Sequence, residues 1–380
     1  MKEKILISGA GIAGLTLKNL LERLNYDVYL CEKEDTLRTQ GAGLLLGANV
    51  LKIFRQMGLE EQILQKAQVI DAFITTDAKG KELDTVDFKQ IYAKTSYRSV
   101  GIHRQELHQI LFANMQHTNL LFDHELTNFA QDDKSYIVAF KNGKQKRFDH
   151  LISSEGIFSQ CREKIYGKTE LRATSQVCWR FVIDAPQNFE RSSGYEMWGD
   201  QKRVGILPLG TDKLYCYLVA TQKGGEEKLS YQEVLQLFES FEGRYGQLKE
   251  TLLHISPKIL YNVLADTQEI TLQSEGIVFV GDSGHATTPN LGQGAAMAIE
   301  SAYTFYTLLQ KHKFSLAAQF YEQTRLKKVQ KIKERSMLVG KFSHLRSKLL
   351  QKIRNIFMQF IPSAITQKEF EKLILDGEIK

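Results

Sequence analysis

The sequence has little that could pin a fold together covalently or through metal. Four cysteines occur in 380 residues, Cys31, Cys161, Cys178 and Cys216. None stands in a CxxC pair or beside a histidine cluster, so neither a disulfide framework nor a zinc site is expected. Each thiol is read as buried and inert. Prolines number only 5, and no linker, repeat or low-complexity stretch divides the chain. No apolar run approaches the roughly 18–20 residues of a membrane span. Residues 1–4 lead straight into a short strand and a glycine-rich turn, unlike a secretory signal. Cytoplasmic residence is the expectation.

What is present is ordinary for a globular chain: 43% hydrophobic and 25% charged residues, enough to bury a large core. At about 150 residues per domain, two or three domains are expected. The net charge of +6 is concentrated late. Residues 325–335 read RLKKVQKIKER, and 341–354 are basic again. Such tracts suit nucleic acid or anionic lipid. Apolar residues interleave at helical spacing, however, which predicts a solvated helix face, and no nucleic-acid signature accompanies them. In the tail, Phe342, Leu345, Leu349, Ile353, Ile356 and Phe360 recur at helical spacing. This helix is expected to dock on the protein's own body, with anionic lipid as the less favoured alternative.

Residues 5–8 predict a strand, 11–24 a helix, and 27–31 a strand ending at Glu32, a βαβ opening. Leu107, Ile110 and Leu111 mark a helix over 104–115. Residues 126–148 alternate around Asn142-Gly143, a hairpin dipeptide, and 151–153 is another short strand. The stretch 174–218 carries Val177, Trp179, Phe181, Val182, Tyr195, Trp198, Tyr215 and Tyr217. It predicts a sheet without intervening helices, a layer of its own. A buried strand returns at 277–280, and after Gly292 the chain is mostly helical.

The run Gly9-Ala10-Gly11-Ile12-Ala13-Gly14 follows a strand and opens a helix. Gly9 permits the tight turn, Gly11 lets backbone approach a pyrophosphate, and Gly14 lets helix and strand pack closely. The helix start offers free N–H groups to phosphates. Glu32 can accept from two ribose hydroxyls at once. This arrangement indicates a bound dinucleotide but does not separate FAD from NAD.

Two later motifs make the separation. Residues 277–282 form a strand ending in Gly281-Asp282, followed by a loop through Pro289, Gly292 and Gly294 into a helix. Residues 151–162 run from a strand through Ser153-Ser154-Glu155-Gly156 to Ser159 and Arg162. These motifs resemble the GD and DG motifs of the class A flavoprotein monooxygenases, the para-hydroxybenzoate hydroxylase-like family. The nearest pattern is the salicylate hydroxylase, urate hydroxylase and zeaxanthin epoxidase branch. Glu155 stands where the family has Asp, and one more methylene moves the carboxylate by about a bond length. Arg104 resembles the family's Arg before the second helix. Gly41-Ala42-Gly43, with Arg38 ahead and Asn49 behind, resembles the loop near the flavin. The matches run in family order over residues 5–294, and the tail carries none.

The resemblance implies an α/β fold: a discontinuous Rossmann-like FAD-binding domain (1–72, 98–170 and 262–340), a β-sheet substrate domain (73–97 and 171–261) and C-terminal helices (341–380). Implied cofactor contacts are Gly9, Gly11, Ala13, Gly14, Glu32, Arg38, Gly43, Arg104, Glu155, Gly281, Asp282, Gly292 and Gly294. Arg203, Tyr215 and Pro289 are the implied substrate-side or catalytic residues, with no metal. The implied reaction consumes NAD(P)H and dioxygen. Through a flavin C4a-hydroperoxide it hydroxylates or epoxidises a small aromatic or polycyclic molecule. The alternatives are an FAD-linked reductase or oxidase without oxygen insertion, and an NAD-binding dehydrogenase without flavin. A monomer or homodimer is expected, with no nucleic-acid partner. His285 is read as a structural hydrogen-bonding group, and Trp179 and Trp198 as core.

Overall fold

The computed structural model describes residues 2–37 and 42–375, so the expected contact Arg38, and Gly41 of the loop that resembles the family's, lie outside the described residues. The opening unit forms as its pattern requires. Lys4–Ser8 is buried beyond its first residue, and the helix Ile12–Leu21 is buried on every side. Such a helix belongs inside a domain. It lies against the helices Arg104–Ala113 and Gly294–Leu309.

The nucleotide sheet has six strands in the order Gln273–Ser274, Ile277–Phe279, His150–Ser153, Lys4–Ser8, Asp27–Cys31, Leu120–Leu121. All neighbours are parallel except the Gln273–Ser274 edge. Ser8 pairs level with both Cys31 and Ser153, and Ser153 with Phe279. Four strands distant in sequence therefore stop at one level, and Gly9, Glu32, Ser154 and Val280 emerge together. In open parallel sheets ligands bind outside this carboxyl edge. The stretch 126–148 forms a three-stranded antiparallel sheet, turning at Asn142-Gly143 with Gly143 at φ +81°.

The cover sheet has seven strands: Leu260–Thr267, Leu171–Asp184, Lys213–Thr221, Lys202–Leu209, Ser193–Trp198, Ala72–Asp77 and Glu82–Asp87. Alternation sorts its residues. Val177, Trp179, Phe181, Met197, Val204, Ile206 and Cys216 pack on the far face with Phe238, Phe241 and Tyr245. Arg203, Tyr215 and their neighbours point the other way, toward the nucleotide half. Trp179 is therefore core, whereas Trp198 belongs to the near face.

Three expected boundaries fall inside elements, the first at residue 72, which opens the cover-sheet strand Ala72–Asp77. Residue 262 falls inside Leu260–Thr267, which continues the cover sheet by pairing with Leu171–Asp184. Residue 341 falls inside the helix Phe314–Ser343. Gly340 lies within that helix, where Asn290 approaches so closely that a Cβ would stand 2.4 Å from its amide nitrogen.

The two basic tracts also differ from expectation. In 325–335 the solvated face exists only in part. Arg325 is buried and donates to Glu300 at 2.9 Å, Lys328 donates to the same carboxylate at 2.9 Å, and buried Lys333 donates to the carbonyls of Thr267 and Ala286. Burial alone would raise the pKa of Glu300, but Arg325 and Lys328 hold it below the ordinary range. In the tail, the helix Lys348–Phe360 does not dock its apolar stripe on the body: Leu349, Ile353, Ile356 and Phe360 are exposed. Among the described residues no helix is long and apolar enough to cross a membrane.

Removing one partner of a buried ion pair leaves an uncompensated charge, at a cost of about 3–5 kcal/mol. Glu300→Ala, which strands Arg325 and Lys328, is expected to lower unfolding free energy by that amount in urea titration. A change under about 1 kcal/mol, the usual worth of an exposed pair, would contradict the assignment.

Candidate functional site

The glycines of the first turn divide by what a side chain would meet. Gly9 has φ +102°, and a Cβ there would lie 2.6 Å from the Ser154 carbonyl oxygen. A Cβ on Gly14 would lie 1.9 Å from the Gly9 carbonyl oxygen. Both glycines are required by the protein's own packing. A Cβ on Gly11 would meet nothing within 4 Å, so that face of the turn is open. The intervening peptide is held at both ends. Ala10 N–H donates to Glu32 at 2.8 Å, and the buried His108 ring donates from Nε2 to the Ala10 carbonyl at 2.7 Å. Burial lowers the pKa of His108, which favours the neutral ring with its proton on Nε2. Glu32 also accepts from the amides of Lys33 and Glu34. With two acceptor sites per carboxylate oxygen, it keeps capacity for a ligand. His108 was not legible in the sequence, because its role depends on a contact 98 residues away.

At the neighbouring strand end Glu155 is held by the protein itself. Its carboxylate accepts from Ser8 Oγ at 2.7 Å, Ser159 Oγ at 2.8 Å, Cys161 N–H at 3.0 Å and Ser153 Oγ at 3.1 Å. The longer acid reaches back and ties strand ends together, with three donors on Oε2 and one on Oε1; Oε1 keeps a further acceptor site. Arg162 fastens the same corner by donating to the carbonyls of Ser283 and Ile157. The thiols Cys31 and Cys161 are buried here. Burial pushes Cys31 up to about 12 and Cys161 well above its ordinary value, which keeps both protonated.

Asp282 stands at the end of Ile277–Phe279, after Gly281 at φ +72°. A Cβ on Gly281 would lie 3.0 Å from Cβ of Ala13, so the expected contact Ala13 uses its side chain to pack helix against strand end. Asp282 is exposed to the groove although protein surrounds it on its other sides. That burial raises its pKa, against the opposing charges of Arg104, Lys333 and Arg162. Arg104 itself is exposed at the start of its helix. Beyond the exposed Pro289, Gly292 adopts φ +63° and the helix Gly294–Leu309 begins with no side chain capping its amides. A Cβ on Gly292 or Gly294 would meet nothing within 4 Å. An uncapped helix start with an open approach is an anion or carbonyl site. His285 is buried and bonded to Ser301 at 3.0 Å, and burial lowers its pKa to about 3, so it is a neutral structural group. Asn49 donates to Glu300, which ties it to this helix.

The near face of the cover sheet closes over that edge. Arg203 is 1% exposed. It donates from Nη2 to Asn290 at 2.7 Å and from Nε to His344 Nε2 at 3.1 Å, and its Nη1 lies 3.4 Å from Glu196. Glu196 also accepts from Trp198 and Tyr217, each at 2.6 Å. Burial and the nearby carboxylate raise the Tyr217 pKa well above its ordinary value, so it stays a donor. Burial, with Arg203 and Arg354 adding to it, lowers the His344 pKa to about 2, so its ring accepts. Tyr215 lies against Gly43, where a Cβ would stand 2.5 Å from that of the tyrosine, and its ring centre is 5.6 Å from that of Tyr217. The structure thus sets Arg203 against the Pro289–Leu291 turn through Asn290 and Tyr215 against Gly43, the two joined across the near face by Tyr217 and Glu196. It buries Arg203 among protein partners and does not leave it open on the strand. Glu196 and His344 were missed in the sequence, since neither sits in a motif, while Asn290 and Tyr217 lay in stretches that were read but were given no role. Among the described residues no cluster of His, Cys, Asp and Glu could hold a metal.

An open Gly11, a Glu32 with spare acceptor sites, an exposed strand-end Asp282 and an uncapped helix start along one edge fit a dinucleotide carrying a ring system. They define an FAD-binding flavoprotein. The chain belongs to the FAD binding domain family, whose model matches residues 2–336. It is 25% identical to aurachin C monooxygenase/isomerase of Stigmatella aurantiaca, over 94% of each chain. It is 24% identical to 2-heptyl-3-hydroxy-4(1H)-quinolone synthase of Pseudomonas aeruginosa, over 97% of each. Its fold is similar to that of Klebsiella pneumoniae HpxO complexed with FAD and uric acid, with TM-score 0.91, 18% identity and coverage of 100% and 98%. The chain is an FAD-dependent enzyme of the class A flavoprotein hydroxylases.

The two kinds of glycine give a direct test. Gly14→Ala is expected to destabilise the fold by several kcal/mol, because backbone would have to shift. Gly11→Ala should melt like wild type yet bind FAD at least about tenfold more weakly, a loss of about 1.4 kcal/mol. Equal melting temperatures and equal FAD affinities in both variants would contradict this division.

The buried histidines set an acid limit. His285 and His344 have folded pKa values of about 3 and about 2, below the ordinary 6.5. Below about pH 6.5 the unfolded chain takes up protons that the folded chain does not, so stability falls with pH, by about 1.4 kcal/mol per unit per histidine. Urea midpoints between pH 7 and 5 should show a shallower decline for His344→Gln than for wild type. An unchanged slope would remove His344 from the acid response.

Proposed function

We propose that this chain is an NAD(P)H-consuming, single-component monooxygenase that hydroxylates or epoxidises a small aromatic or polycyclic molecule. The observation that carries the reading is the meeting of two surfaces: the strand-end edge with Asp282 and the open Gly292–Gly294 helix start, and the near face bearing Tyr215, Tyr217 and Arg203. Bound FAD supplies the redox chemistry, accepting hydride from NAD(P)H and activating dioxygen for transfer to substrate. The chain's own residues bind and orient. Glu32 would hold ribose hydroxyls, the amides after Gly9 and Gly11 would receive the pyrophosphate, Arg104 would offset phosphate charge, and Asp282 would accept from a polyol hydroxyl. The uncapped N-terminus of Gly294–Leu309 would offer its positive end to a polar group of the bound cofactor. Arg203 grips Asn290, so the cover sheet fixes the loop that carries Pro289 and Gly292, and the tyrosine-lined face excludes water beside it.

The substrate class follows from that face together with the relatives. Aromatic side chains suit a flat ring, and one relative is named for a bicyclic quinolone bearing a heptyl chain. Residence in the cytoplasm, where NAD(P)H is available, accompanies this reading.

Two measurements test it. Asp282→Ala removes a hydrogen bond involving a charged group, worth about 1.5–3 kcal/mol, and should weaken FAD binding roughly ten- to a hundredfold. With a substrate found by stimulated NAD(P)H oxidation, oxygen-18 gas should place one labelled atom in the product. Unlabelled product would move the enzyme to the reductases or oxidases that share this scaffold.

A further inference from the structure

An amphipathic helix normally turns its apolar stripe inward. The helix Lys348–Phe360 does the opposite. Its inward side is polar: buried Arg354 donates to the carbonyls of Phe342 and Ser343 at 3.1 and 2.9 Å and lies 5.1 Å from the Trp198 ring centre. Gln351 donates to Asp200 and to the Leu345 carbonyl. Its outward side carries Leu349, Ile353, Ile356, Phe357 and Phe360, all exposed, Phe360 to 81%. Their spacing places them on one continuous stripe, and a contiguous exposed apolar stripe marks an interaction surface.

Charge decides the occupant. No Asp or Glu occurs from 336 to 368, while Lys341, Arg346, Lys348 and Lys352 are exposed. Lys348 and Lys352 are one turn apart along the flank of the stripe. A second copy meeting this face about a two-fold axis would set the same cations against each other, with no acid in the segment to pair them. A surface that is apolar beneath and anionic at its rim satisfies both features.

We propose that Lys348–Phe360 is an interfacial helix that seats the enzyme on an anionic lipid bilayer, its apolar stripe among the acyl chains and its lysines among the headgroups. Arg354 stacks on Trp198, Trp198 donates to Glu196, and Glu196 faces Arg203. The seated helix is thereby joined to the near face, which brings the substrate side of the enzyme close to the membrane. The inference stands on the tail's geometry and does not require the substrate reading above.

The FAD-loaded enzyme would be sedimented with vesicles of mixed phosphatidylglycerol and phosphatidylcholine, and with phosphatidylcholine alone. Pelleting is expected on the anionic vesicles, with release by high salt and a loss of about fivefold in partitioning for each of Lys348→Ala and Lys352→Ala. The triple variant Ile353→Ser, Phe357→Ser, Phe360→Ser should stay in the supernatant while retaining FAD and the wild-type melting temperature, because more than half of each side chain is exposed. Wild type that remains in the supernatant with anionic vesicles overturns the proposal, as does a triple variant that pellets like wild type. A dimer in solution that the triple variant converts to monomer would assign the stripe to a second copy instead.

Discussion

Parallel pairing around Lys4–Ser8, with Ser8 level with both Cys31 and Ser153, sets where the groups along the binding edge stand. A slip of one residue would reverse the inward and outward sides of a strand and would carry its terminal group off the shared level. The register is held locally as well as by the ladder. Ser154 donates from its hydroxyl to the carbonyls of Ser8 and Gly9 at 2.9 and 2.7 Å, and Glu155 collects hydroxyls from Ser8, Ser153 and Ser159. Gly9 and Gly14 are glycines because these contacts leave no room for a Cβ. The open Gly11 follows from the same closure, since a turn pinned from behind presents its free side to the groove.

Buried cations then join parts that the sheet does not reach. Lys333 receives its partners from the end of the cover sheet at Thr267 and from Ala286 after the Asp282 turn. Arg162 clamps that turn from the neighbouring strand end. Arg325 and Lys328 share Glu300, on the helix whose first amides face the groove. Charges removed from water must be paired. Each of these therefore fixes two segments at once, and the long helix Phe314–Ser343 locks the discontinuous nucleotide half without being part of its sheet.

Legibility in the sequence follows the range of the interaction. The βαβ opening, the hairpin at Asn142-Gly143 and the aromatic sheet were readable, because period, turn chemistry and burial act over a few residues. The glycines, Glu32 and Asp282 were readable as motif because backbone geometry restricts the residue type at each place. What escaped was long-range. His108 acts on Ala10, His344 and Asn290 act on Arg203, and Glu155 answers four donors from three segments. The basic run 325–335 looked like a solvated face because its partners, Glu300 and Thr267, are distant in sequence. The tail misled for the opposite reason. Its period was right, but period alone does not say which side of a helix faces the body, and Arg354 rather than the leucines faces inward.

The cluster around Arg203 shows how a cover built from a separate sheet can govern a loop it does not contain. A buried guanidinium with a single carboxylate at 3.4 Å would be weakly compensated, since desolvation of both ions opposes their attraction. Here the remaining donors reach Asn290 and a histidine that burial keeps neutral, while Trp198 and Tyr217 satisfy the carboxylate. Asn290 takes one of the Arg203 donors, so the position of the loop carrying Pro289 and Gly292 is tied to the packing of the near face. Opening that face to water would weaken the pair and release Asn290 together, which makes dryness over the groove and order in its loop one event and not two.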